Sequence, residues 1–133
     1  MKIITLLTDF GDFYAAQVKG VLAGNNVSII DITHDIRPHK NSVYAGAYIL
    51  RHAADKFPKG TIHLAVVDPG VGGKRVALAI RTKNYWFVGP DNGLLAPAAE
   101  SDGIKEIFTI NLAVKSKTFH GKDIFAPATI EIL

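Results

Sequence analysis

Short apolar runs alternate with loops rich in glycine and aspartate along this chain, and that rhythm restricts its fold more than any other feature. Ile3 to Leu7 is an unbroken apolar run of the kind found in buried parallel strands. It ends in the loop Thr8-Asp9-Phe10-Gly11-Asp12. From Tyr14 to Gly24 the apolar residues Tyr14, Ala15, Val18, Val21 and Leu22 follow helical spacing, and Gly24 supplies the stop. Val27 to Ile32 reads as a second strand, followed by a polar loop from Asp31 to Lys40. A helix capped by Asn41 or Ser42 then runs through Ala53, with Val43, Ala47 and Leu50 turned inward.

The second half keeps the pattern. Ile62 to Val67 is a third strand and meets the turn Asp68-Pro69-Gly70-Val71-Gly72-Gly73. Val76 to Ile80 and Tyr85 to Val88 are strands joined by Thr82-Lys83-Asn84. Gly89-Pro90-Asp91-Asn92-Gly93 is a further loop, Leu94 to Ala99 a short helix, and Ile104 to Ile110 a last strand. Strands separated by helices predict an α/β fold: a mostly parallel central sheet flanked by helices on both faces. The run Ile124 to Ile130 opens another element just before Leu133, which suggests a truncated frame.

Composition narrows the function classes. The 133 residues match one domain with a real core, and the absence of cysteine excludes disulfides, thiolate metal sites and a cysteine nucleophile. A net charge of +3, from 15 Lys+Arg against 12 Asp+Glu, is too weak to argue for nucleic acid. Uncharged stretches are too short to span a membrane, and Asp9 interrupts any signal-peptide core, so a cytoplasmic protein is expected.

In open parallel sheets, ligands bind beyond the carboxyl ends of the strands. Asp9-Phe10-Gly11, Asp68-Pro69-Gly70 and Pro90-Asp91-Asn92-Gly93 all fall at such ends, each joining a carboxylate to a glycine turn. Any one of them is ordinary turn chemistry; three on one edge point to a site. Gly70-Val71-Gly72-Gly73 leads into a strand rather than a helix and lacks a Lys-Ser/Thr pair, which excludes a P-loop. Arg75 stands seven residues beyond Asp68 across that flexible turn, and His120 lies in Thr118-Phe119-His120-Gly121-Lys122-Asp123. Asp31, His34, Asp35 and His39 match no standard zinc spacing and read as a polar loop. His52 and His63 have no distinctive sequence context, and no Gly-x-Ser-x-Gly elbow is present.

Taken in order, Thr8-Asp9-Phe10-Gly11, Asp31-Ile32-Thr33-His34, Asp68-Pro69-Gly70-Val71-Gly72, Pro90-Asp91-Asn92-Gly93-Leu94 and Phe119 to Pro127 form a specific set. The set closely resembles the S-adenosyl-L-methionine (SAM) hydroxide adenosyltransferases, or SAM hydrolases, relatives of the SAM-dependent fluorinase and chlorinase. The resemblance covers nearly the whole chain. It implies hydrolysis of SAM to adenosine and L-methionine by attack at ribose C5′, with SAM as substrate and no cofactor. It also implies an N-terminal α/β domain, a C-terminal β-barrel domain absent from these residues, and a homotrimer with SAM bound between subunits. The family's water-holding Asp-Arg-His set falls on Asp68, Arg75 and His120, and its ribose-binding acid falls on Asp9. The first loop is two residues shorter than in many members, which is expected to alter contacts to the methionine end of SAM, through Asp12 or Tyr14. The alternatives are a SAM-dependent halogenase, or a non-catalytic module that binds SAM or adenosine or forms trimers.

The chemistry suits these residue types. Attack at C5′ expels a neutral thioether from a sulfonium, so the leaving group needs no acid. The nucleophile needs alignment and hydroxide character. A guanidinium favours the developing hydroxide, an acid or imidazole can orient the water and take its proton, and a carboxylate can accept two ribose hydroxyls.

Overall fold

The computed structural model describes residues 1–37, 40–69, 76–110 and 125–133. Among these the chain runs β1 (Lys2–Thr8), α1 (Gly11–Leu22), β2 (Val27–Thr33), α2 (Ser42–Ala54), β3 (Ile62–Val66), β4 (Ala77–Thr82), β5 (Trp86–Pro90), α3 (Ala96–Asp102), β6 (Ile104–Ile110) and α4 (Ala126–Ile132). The strands form one sheet in the order β2-β1-β3-β5-β4-β6.

The sheet is mixed, so the expectation of a mostly parallel one holds only in part. β1 pairs in parallel with β2 and β3, and β3 with β5, whereas β4 is antiparallel to both β5 and β6. The physical reason was present in the sequence. Only Thr82-Lys83-Asn84 was assigned between the fourth and fifth apolar runs, and parallel neighbours need a crossover of a dozen residues or so. A hairpin was the only connection available. Its turn is fastened by Asp102 at the end of α3, whose carboxylate accepts from Thr82 Oγ1 at 2.6 Å and from the Asn84 backbone N–H at 2.7 Å.

Burial follows position in the sheet. Every residue of the central strand β3, Ile-His-Leu-Ala-Val, is buried. The edge strand β6 is exposed at six of its seven positions and carries Lys105 and Glu106, charges that discourage further pairing. Neighbouring residues along the strands enter different apolar clusters. Leu64, Val66 and Val88 join Val18 and Leu22 of α1 and Ala126 and Ala128 of α4. Ala65, Val67 and Phe87 join Leu50 and Ala54 of α2 and Ala98 and Ala99 of α3.

The helices end where their sequences dictate. Gly24 adopts φ 86 after α1, and the Asn25 side chain donates to the Leu22 carbonyl at 2.9 Å. Asn41 occupies the N-cap of α2 but makes no side-chain cap hydrogen bond, contrary to its expected role. Its backbone, at φ −104 and ψ 11, lies outside the extended region from which a cap reaches the first turn. Ser42, the alternative cap, is buried, and its hydroxyl makes no hydrogen bond among the described residues. The closing element is a helix, α4, in which Thr129 Oγ1 donates back to the Phe125 carbonyl at 2.8 Å.

Candidate active site

The central parallel strands bring two acidic loops together. Thr8 at the end of β1 pairs with Val66 at the end of β3, so Asp9 and Asp68 leave the sheet side by side. The Asp9 backbone N–H donates to the Val66 carbonyl at 3.3 Å. In return the Asp68 backbone N–H donates to Asp9 Oδ2, also at 3.3 Å. Asp68 is buried and Asp9 half-buried. Burial pushes the Asp9 carboxyl up to about 6, only partly offset by backbone hydrogen bonding.

The third loop follows β5 on the same edge. Asn92 Nδ2 donates to the Val67 carbonyl at 2.9 Å, and the Leu94 N–H donates to Asn92 Oδ1 at 3.1 Å. One side chain thereby closes its own turn and fastens it to the Asp68 loop. Gly93 takes φ 92 there, a conformation that costs glycine little.

Asp12 and Tyr14 lie on the exposed first turn of α1, immediately after the Asp9 loop. The Tyr14 ring meets that of Phe13 edge-on, with centroids 5.1 Å apart. Phe13 is 71% exposed and was not singled out from the sequence. Arg75 and His120 lie outside the described residues, as do Gly70 to Gly73 and His39.

Sequence reasoning also missed what Asp31 and His34 do. Instead of standing in a loose polar loop, they are hydrogen-bonded to each other, His34 Nε2 to Asp31 Oδ1 at 2.8 Å. His34 Nδ1 lies 2.7 Å from Thr8 Oγ1, and Lys19 Nζ of α1 reaches Asp31 Oδ2 at 2.5 Å. Hydrogen bonds from Lys19 and His34 hold the Asp31 carboxyl below its ordinary value despite the opposing effect of burial. Asp35 is exposed, and its N–H donates to Thr33 Oγ1 at 3.2 Å. Among the described residues no group of three or more His, Cys, Asp or Glu is arranged to hold a metal ion. The available signal was the Asp31-x-x-His34 spacing beside a threonine that precedes Asp9.

Acidic loops gathered beyond the carboxyl ends of parallel strands define an α/β protein with a candidate ligand site at that edge. Its family is equally clear. The family described as SAM hydroxide adenosyltransferase N-terminal domain matches residues 4–133, and the chain belongs to it. It is 43% identical to a (R)-S-adenosyl-L-methionine hydrolase of Methanocaldococcus jannaschii, across 100% of this chain and 54% of that protein. A Thermotoga maritima crystal structure described as an uncharacterized conserved protein superposes with a TM-score of 0.87 at 40% identity. That superposition covers 97% of this chain and 53% of the other. A fluorinase from Actinopolyspora mzabensis is more distant, 24% identical over 93% of this chain and 52% of that protein. The chain thus spans about half the length of the curated relatives it matches.

Proposed function

We propose that this chain is the N-terminal catalytic part of a SAM hydrolase, which cleaves SAM to adenosine and L-methionine. The observation that carries the reading is the hydrogen-bonded pairing of the Asp9 and Asp68 loops at the ends of β1 and β3. It supports a reading in which an acid for ribose stands beside an acid for water. Curated hydrolases among the relatives support hydrolysis over halogenation, since the fluorinase is markedly less similar.

Each group has a distinct task in this reading. Asp9 accepts the two ribose hydroxyls, which its ionised form can do at once. Asp12 and Tyr14 face the methionine end. Asp68, Arg75 and His120 hold water in line with the C5′–S bond, where the guanidinium favours hydroxide. The water oxygen bonds to C5′ as the C5′–S bond breaks. The electron pair of that bond passes to sulfur and neutralises the sulfonium, and the proton of the water goes to Asp68 or His120. SAM is the substrate and no cofactor takes part.

The rest of the reading concerns the whole protein. The two apolar clusters lie on opposite faces of the sheet, because adjacent strand residues alternate between them. A C-terminal β-barrel domain completes the pocket, the protein forms a homotrimer, and it works in the cytoplasm without nucleic-acid or membrane partners. No helix among the described residues is long and apolar enough to cross a membrane. Incubating the natural full-length protein with SAM and separating the products by chromatography tests the activity. Adenosine and methionine in equal amounts are expected; a folded protein that leaves SAM intact refutes it.

A further inference from the structure

The turn that carries Asp9 is held from both sides by one buried histidine. His34 is 8% exposed and Thr8 fully buried. One hydrogen-bond direction follows from the groups present. The Asp31 carboxylate only accepts, so His34 Nε2 carries a proton towards it at 2.8 Å. His34 Nδ1 shares a hydrogen bond with the Thr8 hydroxyl at 2.7 Å. The same hydroxyl oxygen accepts the Phe10 N–H at 3.2 Å. The backbone carbonyl of His34 accepts the Gly11 N–H at 3.0 Å, where Gly11 sits at φ 75.

Residues 8, 10 and 11 are therefore tied to His34 directly or through one hydroxyl. Asp9, enclosed between them, is tied to the end of β3 by its own N–H. Lys19 completes the line by gripping the other oxygen of Asp31 at 2.5 Å. This is more than a turn needs for its own backbone, because an ST-turn at Thr8 closes with the Phe10 N–H alone. The additional partners fix the orientation of the residue that follows Thr8.

We propose that Lys19, Asp31, His34 and Thr8 form a positioning line that aims the Asp9 carboxylate at the ribose hydroxyls of the substrate. The inference rests on the assignment of Asp9 to ribose in the proposed function. Thr8 and His34 are positioning residues that touch no reacting atom. Removing the line weakens substrate capture more than it slows the chemical step, since the ribose 2′ and 3′ hydroxyls form and break no bond in the reaction and are held alike before and during it.

Steady-state kinetics with SAM on the natural full-length protein tests this. Thr8→Val keeps the buried shape and deletes the hydroxyl; Thr8→Ser keeps the hydroxyl. We expect Thr8→Val to raise KM for SAM about tenfold with kcat changed less than about threefold, and Thr8→Ser to restore KM. Asp31→Ala, at a half-exposed site that opens no core, gives a smaller rise of a few-fold and serves if Thr8→Val does not fold. An unchanged KM in a folded Thr8→Val or Asp31→Ala protein overturns the positioning line while the hydrolase reading stands. Loss of thermal stability with unchanged KM overturns it equally. A wild-type protein without SAM turnover removes the hydrolase reading, and this inference falls with it.

Discussion

Asp9 is poised close to the pH at which it must work. With its carboxyl raised to about 6 by burial, it is mostly ionised at neutral pH and gains a proton in mild acid. In the proposed ribose-binding role, its capacity as a double acceptor falls with that proton. Adenosine affinity, followed by calorimetry, is expected to rise between about pH 5 and pH 7 with a midpoint near 6, and to be flat in Asp9→Asn. The same slope in Asp9→Asn would show that another group controls binding. His63 titrates with the opposite consequence. Buried in β3 among Phe57, Tyr85 and Phe87, it meets Thr5 Oγ1 at 2.7 Å through Nδ1. Burial pushes the ring down to about 4, against weaker opposing effects of the Ala54 backbone and Asp102. Above its ordinary value of 6.5 the ring is neutral in folded and unfolded chains alike. Between 6.5 and about 4 only the unfolded chain takes the proton, so stability falls with falling pH, by about 3 kcal/mol once both values are passed. Asp9 acts in the other sense, because its raised value favours the folded state in acid and that contribution is lost as pH rises towards 6. The difference between wild type and His63→Gln in denaturant melts isolates the histidine. A difference that does not change between pH 7 and about 4 would contradict its neutral burial.

At the scale of elements, two glycines show how tightly the sheet is built around the site. A Cβ on Gly89 of β5 would lie 2.3 Å from the Ala65 backbone oxygen of β3. These strands can accept it only by separating. Gly89→Ala is expected to cost about 2–3 kcal/mol or more in chemical denaturation. Gly20, exposed within α1, has nothing within 4 Å of such a Cβ. Gly20→Ala is expected to add about 0.5–1 kcal/mol through helix propensity. Equal effects at the two positions would refute this packing. Much of this architecture was legible in the sequence because the periods were clean. Ala15, Val18 and Leu22 gave the buried face of α1, and Ile104 to Ile110 was bounded by Gly103 in front. The direction of β4 was harder to read, because apolar runs report burial and not strand polarity; only the short connection at Thr82-Lys83-Asn84 held that information. The acidic loops were legible as loops, and the sheet order then put Asp9 beside Asp68. The link from His34 to Thr8 was not, since it spans 26 residues and depends on the β1–β2 register, which no local pattern encodes.

For the whole molecule, the mixed six-stranded sheet of the described residues, its acidic edge and membership of the SAM hydroxide adenosyltransferase family combine in one enzymatic reading. Its central claim is that water attacks ribose C5′ of SAM. A carboxylate that merely binds ribose is compatible with a SAM-binding module, and loss of SAM alone is compatible with several cleavages. The origin of the new oxygen separates them. Turnover of SAM by the natural full-length protein in water enriched in oxygen-18, followed by mass spectrometry of the nucleoside, reads it directly. We expect adenosine carrying one heavy oxygen at its 5′ position, released with an equal amount of methionine. Adenosine without the label, a halogenated nucleoside, or no nucleoside product from a folded protein would contradict the account.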